Sequence, residues 1–494
     1  MSTTPPAAVT AAREHIVAAV PKQLLVGGTW LDAADGATMA VDDPATGEVL
    51  CRVADAGAPE GRLAEEAAVA AQEEWARTAP RARSEILRRA YEIILARTDD
   101  LAALMTAEMG KPLAEARGEV AYAAEFFRWF SEEAVRVDGG YGTLPDGRNR
   151  MLLMRRPVGP CLLITPWNFP LAMGTRKIGP AIAAGCTMVF KPAPQTPLSA
   201  LALAAILEEA GLPPGVLNVV TTSRAGEVVE PLLRGGRVRK LSFTGSTEVG
   251  RTLLAQCADT VMRTSMELGG NAPFIVFEDA DLDAAVDGAM TAKMRNMGEA
   301  CTAANRIFVH RSLADEFARR LAERMAALVV GPGTTPGVDV GPLIDAAGRA
   351  KVEELVADAV GRGARVLTGG TVPEGPGRFY PPTVLTGVDP GSRLMETEIF
   401  GPVAAILAFD DEDEVVRAAN DTPWGLVGYV FTRGLDRALR VSERLEVGMV
   451  GLNTGLVSSP AAPFGGVKQS GLGREGGRAG IEEFLEYTYV AMPA

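Results

Sequence analysis

Residues 240–254 read KLSFTGSTEVGRTLL. A strand-like run, KLSFT, passes through Gly245, Ser246 and Thr247 into a segment of helical spacing that carries Gly250 in its first turns. Free N–H groups at such a helix start favour a phosphate or pyrophosphate. The glycine spacing is GxxxxG, which lacks both the GxGxxG dinucleotide fingerprint and the GK[ST] of a P-loop. Taken alone, the run is either an ordinary strand–turn–helix connection or an anion-binding turn. Its neighbours decide the fold. CLLIT (161–165), TMVFK (187–191) and GVLNVV (215–220) are also strand-like. The helical stretch TPLSALALAAILEEAG (196–211) has Pro at its first turn and Gly at its end, and AGEVVEPLLRGG (225–236) is a second helix. Strands alternating with helices predict a parallel, doubly wound sheet.

A second alternating region follows Glu267. APFIVF (272–277), a helix from 281 to about 297, NRIFVH (305–310) and a helix over 313–328 come first. VGPLI, KVEELVADAVGRGA, ARVLTGG, PVAAILAF, EDEVVRAANDT, GLVGYVFT and LDRALRVSERLEVG continue the pattern to residue 448. Before the first sheet, QLLVGGTWL (23–31) and DDPATGEVL (42–50) read as short strands and turns, followed by three helices up to about residue 130. MLLMRRPVG (151–159) reads as an extended arm, and FLEYTYVAM (484–492) as a strand expected to pair with it. The first twelve residues, MSTTPPAAVTAA, are small, polar and Pro-containing, and are expected to be loose.

The chain has 494 residues, too many for one ordinary core, with 47% hydrophobic and 22% charged residues. A net charge of −13 and the absence of a Lys/Arg run argue against nucleic acid and anionic membrane as partners. No apolar run is long enough to span a bilayer, and no secretory leader is visible, so the expectation is a cytoplasmic protein. The five cysteines are widely spaced and form no CxxC, which leaves little support for a disulfide framework or structural zinc, and no metal is expected. Cys51, Cys161, Cys186 and Cys257 read as small buried hydrophobes. The only histidines, His15 and His310, sit outside any Gly-rich setting. A His-based dyad is therefore not expected, and a nucleophile here would draw its base from a carboxylate.

The remaining thiol, Cys301, lies in NMGEACTAANR (296–306). As residues alone, it is a core residue, a ligand, half a disulfide or a nucleophile. Other runs sit at strand ends, where open α/β sheets bind ligands. VFKPAPQTP places Lys191 there. ITPWNFP holds Trp167 and Asn168 between stiffening prolines, and the Asn168 amide is a candidate oxyanion donor. SMELGGN ends a strand at Glu267, a candidate base, with two glycines that permit close approach. EIFGPV carries Glu398 and Phe400 before a strand. The literal GxGxxG at GLGREG (471–476) follows no clear strand and reads as a loop.

ITPWNFP, FKPAPQTP, SFTGSTEVG, MELGGNAPFIVF, GEACTAANR, EIFGPV and PFGGVKQSGLGREGG together resemble the aldehyde dehydrogenase superfamily, in its order and at its separations, from about residue 22 to the end. The resemblance implies an α/β fold with two doubly wound domains and a small β oligomerisation arm. A Rossmann-like NAD(P)-binding domain would span 22–138 and 158–267, and a catalytic domain 268–458. The arm would be formed by 139–157 and 480–494, with 459–479 as a connecting loop. It also implies Cys301 as nucleophile, Asn168 with the Cys301 N–H as oxyanion hole, and Glu267 as general base. Trp167, Lys191, Pro194, Gly245, Ser246, Leu268, Glu398 and Phe400 would bind the cofactor, and a homodimer or homotetramer is expected.

Within the family the likeness is greatest to members that oxidise succinate semialdehyde, on the runs GPLI, MRNMGEAC and GLVSSPAAPFGGVKQSGLGREGG. That likeness makes Arg176, Arg295 and Ser458 the partners of a distal carboxylate, for which arginine geometry is suited. Glutarate semialdehyde, one methylene longer, is the alternative substrate. Three positions depart from many relatives. Glu299 stands where Gln is common. Ala303 stands where some carry a second cysteine. Pro194 replaces a glutamate typical of NAD-preferring members, which implies use of both cofactors with a modest preference for NADP. Two readings from other classes are a Cys–Glu–Lys amidase or nitrilase and a non-catalytic structural relative.

Overall fold

The computed structural model describes residues 14–494, so the segment expected to be loose lies outside the described residues. Eight strands form the first sheet, in the order Thr29–Leu31, Leu24–Val26, Leu217–Val219, Met188–Lys191, Cys161–Ile164, Lys240–Thr244, Arg263–Glu267, Gly471–Leu472. The five strands from Leu217–Val219 to Arg263–Glu267 are parallel, and the flanking strands are antiparallel. Alternate residues of each strand serve opposite faces, as a period of two requires. Leu162 and Ile164 pack into one apolar cluster while Cys161 and Leu163 pack into another. Helices cover both faces, so Cys161–Ile164, Met188–Lys191 and Leu217–Val219 are buried along their whole length.

Chain order reverses across this sheet. From Cys161–Ile164 the chain steps outward to Met188–Lys191 and Leu217–Val219, then returns to the other side with Lys240–Thr244 and Arg263–Glu267. The reversal leaves a crevice between the carboxyl ends of Cys161–Ile164 and Lys240–Thr244, where open α/β sheets take up ligands. The loop after the first of these carries Trp167 and Asn168, and the turn after the second carries Gly245 and Ser246.

From Glu267 only Leu268 to Asn271 intervene before strand Ala272–Val276 opens the second sheet. That sheet runs Arg365–Thr368, Thr383–Thr386, Val403–Phe409, Ala304–His310, Ala272–Val276, Val427–Phe431, Met449–Leu452, all parallel but for the first pair. Phe274 and Val276 face one core, Ile275 the other. The carboxyl edge of the first sheet thus runs into the amino edge of the second, and the junction carries Glu267. Strand Leu485–Pro493 pairs antiparallel with Asn149–Pro157 along its length, as expected from sequence, and Gly140–Thr143 completes that small sheet.

The helix expected to run to about residue 297 ends earlier. Asp281 caps helix Leu282–Met294 by accepting from the Ala284 N–H at 3.1 Å. Arg295 then leaves helical geometry, and Asn296, Met297 and Gly298 take φ of +54°, +57° and +78°. Left-handed conformations at two non-glycine residues cost about 1 kcal/mol each. Hydrogen bonds offset that cost. The Asn296 N–H meets the Glu115 carboxylate at 3.0 Å, and its side-chain amide donates to the carbonyls of Asn168 and Glu299, both at 3.0 Å. A Cβ on Gly298 would lie 2.2 Å from the Gly401 carbonyl, so only glycine fits there. The sharp reversal delivers Cys301 to the seam between the sheets.

VGPLI forms no strand. Val340 makes only an isolated bridge to Val330, and Pro342 packs against Gly110.

Candidate active site

One cavity of about 570 Å³ lies at the seam. Trp167, Asn168, Lys191 and Pro194 line it from the first sheet's strand ends, with Gly245, Ser246 and Leu268 beside them. Cys301, Glu398 and Phe400 enter from the second sheet, and Arg176, Arg295 and Ser458 close the far end. Every sequence-singled residue is therefore drawn to one place, except that the Glu267 carboxyl is turned away from the cavity wall.

Burial pushes the Cys301 thiol up to about 12, while Arg176 and, more weakly, Arg295 pull it back down. The Asn168 amide donates to the Glu299 carbonyl at 3.0 Å, and its second N–H is unspent. The Asn168 carbonyl accepts from Lys111 Nζ at 2.8 Å, which fixes the loop. Lys111 in turn is ion-paired with Glu119 in full burial, and Glu119 accepts from the Leu171 and Ala172 N–H groups.

Glu267 is buried, and one of its carboxyl oxygens has no hydrogen-bond partner. Burial, reinforced by the nearby Glu475 charge, holds its carboxyl well above the usual range. A Cβ on Gly465 would sit 2.7 Å from Glu267 Oε1, so the carboxyl rests in a glycine cradle of loop 463–473. The same loop grips the junction from both sides. Ser470 accepts from Leu268 N at 2.9 Å through its carbonyl and donates to the Gly269 carbonyl at 2.7 Å through its hydroxyl. Leu472 and Gly471 pair with Met266 and Glu267 as the last strand of the first sheet.

The donor set for a dinucleotide fits. The Thr244 hydroxyl lines the cavity, buried and unpartnered. Ser246 caps its own helix by accepting from Val249 N at 3.3 Å, which leaves the other first-turn N–H groups free for phosphate oxygens. Desolvation lowers Lys191 to about 8, and an anionic partner would raise it again. Glu398 accepts from Gly270 N at 3.2 Å, and burial raises its carboxyl to about 7. Phe400, held at φ +52°, meets Trp167 edge to face with centroids 5.4 Å apart.

The two arginines differ in their surroundings. Arg176 is buried, its Nε 2.6 Å from the Glu475 carboxylate and its guanidinium 3.7 Å over the Phe464 ring, with Nη2 unpartnered. Glu475 is paired with Lys177 as well. Arg295 instead lies 4.8 Å over Phe169 and 5.5 Å over Tyr122, and donates to Ser458 Oγ at 3.3 Å. It makes no ion pair among the described residues; Glu115 acts on it only at longer range. Sequence reasoning missed Glu475, which the GLGREG run carries, and missed Tyr122, Phe169, Phe464 and Lys351. Phe169 lay inside ITPWNFP and Phe464 inside PFGG, but neither motif marked them as site residues; Tyr122 and Lys351 come from helices with no local signature.

A thiol, an amide donor, a buried carboxyl and a phosphate-ready turn around one cavity define a cysteine-dependent oxidoreductase of aldehydes. The chain belongs to the aldehyde dehydrogenase family, which it matches over residues 30–490. It is 58% identical to a succinate-semialdehyde dehydrogenase of Paenarthrobacter nicotinovorans over 90% of this chain and 99% of that one. A glutarate-semialdehyde dehydrogenase of Pseudomonas aeruginosa is 52% identical over 95% and 97%. The crystal structure of an NADP-dependent enzyme of Escherichia coli superposes with a TM-score of 0.95 at 50% identity, covering 96% and 98%. The amidase and structural-relative readings fall away with this assignment.

Proposed function

We propose that the protein oxidises succinate semialdehyde to succinate with NADP or NAD as acceptor. The single observation that supports the substrate most is Arg295. A half-buried guanidinium set against two rings, with a serine hydroxyl and no ion-pair partner among the described residues, faces the cavity that holds Cys301. Such a cation awaits an anion, and a substrate carboxylate supplies it. Arg176, with its free Nη2, faces the same space.

In this reading Cys301 gives its thiol proton to water, a loss that the Arg176 and Arg295 charges favour, and attacks the aldehyde carbon as the thiolate. The oxyanion is received by the free Asn168 N–H and the Cys301 backbone N–H. When bound, the nicotinamide accepts the hydride that leaves that carbon, and a thioester to Cys301 remains. Glu267 then turns from its glycine cradle, takes a proton from water and so drives release of the acid. Its raised affinity for protons makes it a stronger base once ionised. Lys191 and Glu398 would hold the two riboses, the turn at Gly245 and Ser246 would take the pyrophosphate, and Trp167, Leu268 and Phe400 would wall the nicotinamide end. Pro194 neither accepts a hydrogen bond nor repels a phosphate. Both cofactors are therefore used, with a modest NADP preference.

Residues 22–138 and 158–267 act as the cofactor domain and 268–458 as the catalytic domain. The strands in 139–157 and 480–494 form the arm of a homodimer or homotetramer in the cytoplasm, a role that suits the exposed Tyr141, Tyr487 and Tyr489. Glutarate semialdehyde is the second substrate to consider, because one methylene changes selectivity by only about 1–3 kcal/mol.

The test is absorbance at 340 nm with succinate semialdehyde, glutarate semialdehyde and butanal, on the wild type and on Cys301→Ala. The wild type should favour the carboxylate-bearing aldehydes and Cys301→Ala should be inert. Turnover by Cys301→Ala, or a preference for butanal, would overturn the proposal.

A further inference from the structure

Tyr429 is buried on Val427–Phe431, the last strand but one of the second sheet, and has no part in the mechanism. Its phenol is the one polar handle on an otherwise apolar strand. The O–H donates to the carbonyl of Thr302 at 2.8 Å, and Thr302 directly follows the nucleophile. A buried tyrosine hydroxyl needs such a partner, yet few positions would set that partner in the catalytic turn. The turn itself is short. Ala303 N donates to the Ala300 carbonyl at 2.9 Å, and the carbonyl of Cys301 lies 3.0 Å from where a Cβ on Gly270 would sit. Gly270 and Tyr429 therefore hold the two peptides that follow the Cys301 Cα, 301–302 and 302–303.

Room for the phenol ring is built into the neighbouring strand. Gly451 is the register partner of Tyr429, and a Cβ there would lie 2.6 Å from the ring. The strand bearing Gly451 leads directly into the loop that carries Ser458. Arg295 and Cys301 are both close enough to act on the phenol electrostatically. One ring thus stands at the crossing of the nucleophile turn and the carboxylate seat.

We propose that Tyr429 is a positioning residue: its hydroxyl fixes the Thr302 carbonyl, and thereby the direction in which the Cys301 thiolate and its backbone N–H face the aldehyde. The proposal rests on Cys301 being the nucleophile. Misplacing reacting atoms by about 1 Å costs about a hundredfold in rate, so a slackened turn should act on chemistry before it acts on binding.

Tyr429→Phe removes only the hydroxyl. In the folded variant, with active sites counted by alkylation of Cys301, the burst rate constant for reduced cofactor should fall about tenfold, and KM for succinate semialdehyde should stay within about twofold. A purely structural role would lower the unfolding temperature and leave the burst per active site unchanged; that result would overturn the proposal. Gly451→Ala keeps the hydroxyl but sets a Cβ 2.6 Å from the ring and 2.8 Å from the Thr454 carbonyl, and should slow the burst in the same way. If Tyr429→Phe does not fold, Gly451→Ala alone decides, and an unchanged burst there would likewise overturn the proposal. Cys301→Ala is run alongside. Activity in that variant would sink the nucleophile reading, whereas an inert Cys301→Ala with a normal burst in Tyr429→Phe would sink only the role of Tyr429.

Discussion

Replacing Arg295 by leucine isolates the charge that we assign to substrate recognition. The guanidinium makes no ion pair among the described residues, so its removal strands none of their carboxylates within salt-bridge distance. What it strands is the distal carboxylate of the substrate, in a pocket walled by Tyr122 and Phe169. Leaving a desolvated charge without its partner costs about 2–5 kcal/mol. Ser458 and the free Nη2 of Arg176 keep some of the interaction, so a loss of about 3 kcal/mol is expected, or about 150-fold in kcat/KM. Butanal has the same four carbons and no carboxylate, and should lose less than about threefold. Arg176→Leu should differ in kind. It leaves Glu475 buried with Lys177 as its remaining ion-pair partner of this cluster, and breaking a buried pair destabilises by about 3–5 kcal/mol. Its kinetic defect should therefore come with a lowered unfolding temperature, which Arg295→Leu should not show. The assay is the initial rate at 340 nm for both aldehydes, with calorimetric unfolding of both variants. Equal losses on butanal and succinate semialdehyde in Arg295→Leu would refute the reasoning.

Glu267→Gln should keep a fast first turnover and stall thioester hydrolysis, seen as a burst of reduced cofactor followed by slow release. Because burial raises the Glu267 carboxyl, wild-type hydrolysis should climb with pH as that group ionises, and the climb should vanish in Glu267→Gln; an unaltered steady state would remove Glu267 from the role. Pro194→Glu should shift the kcat/KM ratio towards NAD by at least about tenfold, or about 1.4 kcal/mol, by repelling a 2′-phosphate. A wild type without measurable NADP activity would show that another residue excludes the phosphate.

Much of this site was legible in the sequence because its residues stand at strand ends. An apolar run followed by Pro, Gly or Asn marks where a parallel strand stops, and Lys191, Gly245 and Glu267 each lie at or just beyond such a point. The strand–helix alternation marked both sheets for the same reason. Local periodicity carries no trace of partners far apart in the chain. The loop reading of GLGREG was sound as to phosphate binding, since Gly471 and Leu472 form an edge strand rather than a strand–helix turn. Nothing in that run announced that Glu475 would reach back to Arg176 and Lys177. The helix ending at Met294 was overestimated because Asn296 and Met297 have ordinary helical compatibility, and only the tertiary bonds to Glu115 and Asn168 turn them left-handed. The orientation of Glu267 away from the cavity is likewise set by Gly465, distant in sequence and adjacent in space.

Loop 463–473 and Glu475 finish a pocket whose other walls were laid down far earlier in the chain. On a ribosome working at about 5–20 residues per second, roughly two hundred residues separate Glu267 from Glu475, a delay on the order of 10–40 s. Throughout that interval Arg176 and Lys177 lack the Glu475 carboxylate and Glu267 lacks its glycine cradle. The nascent chain therefore carries a thiol without a working pocket until the last strand of the first sheet is threaded in from the far end. A chain truncated before residue 471 should therefore be not a weak enzyme but none.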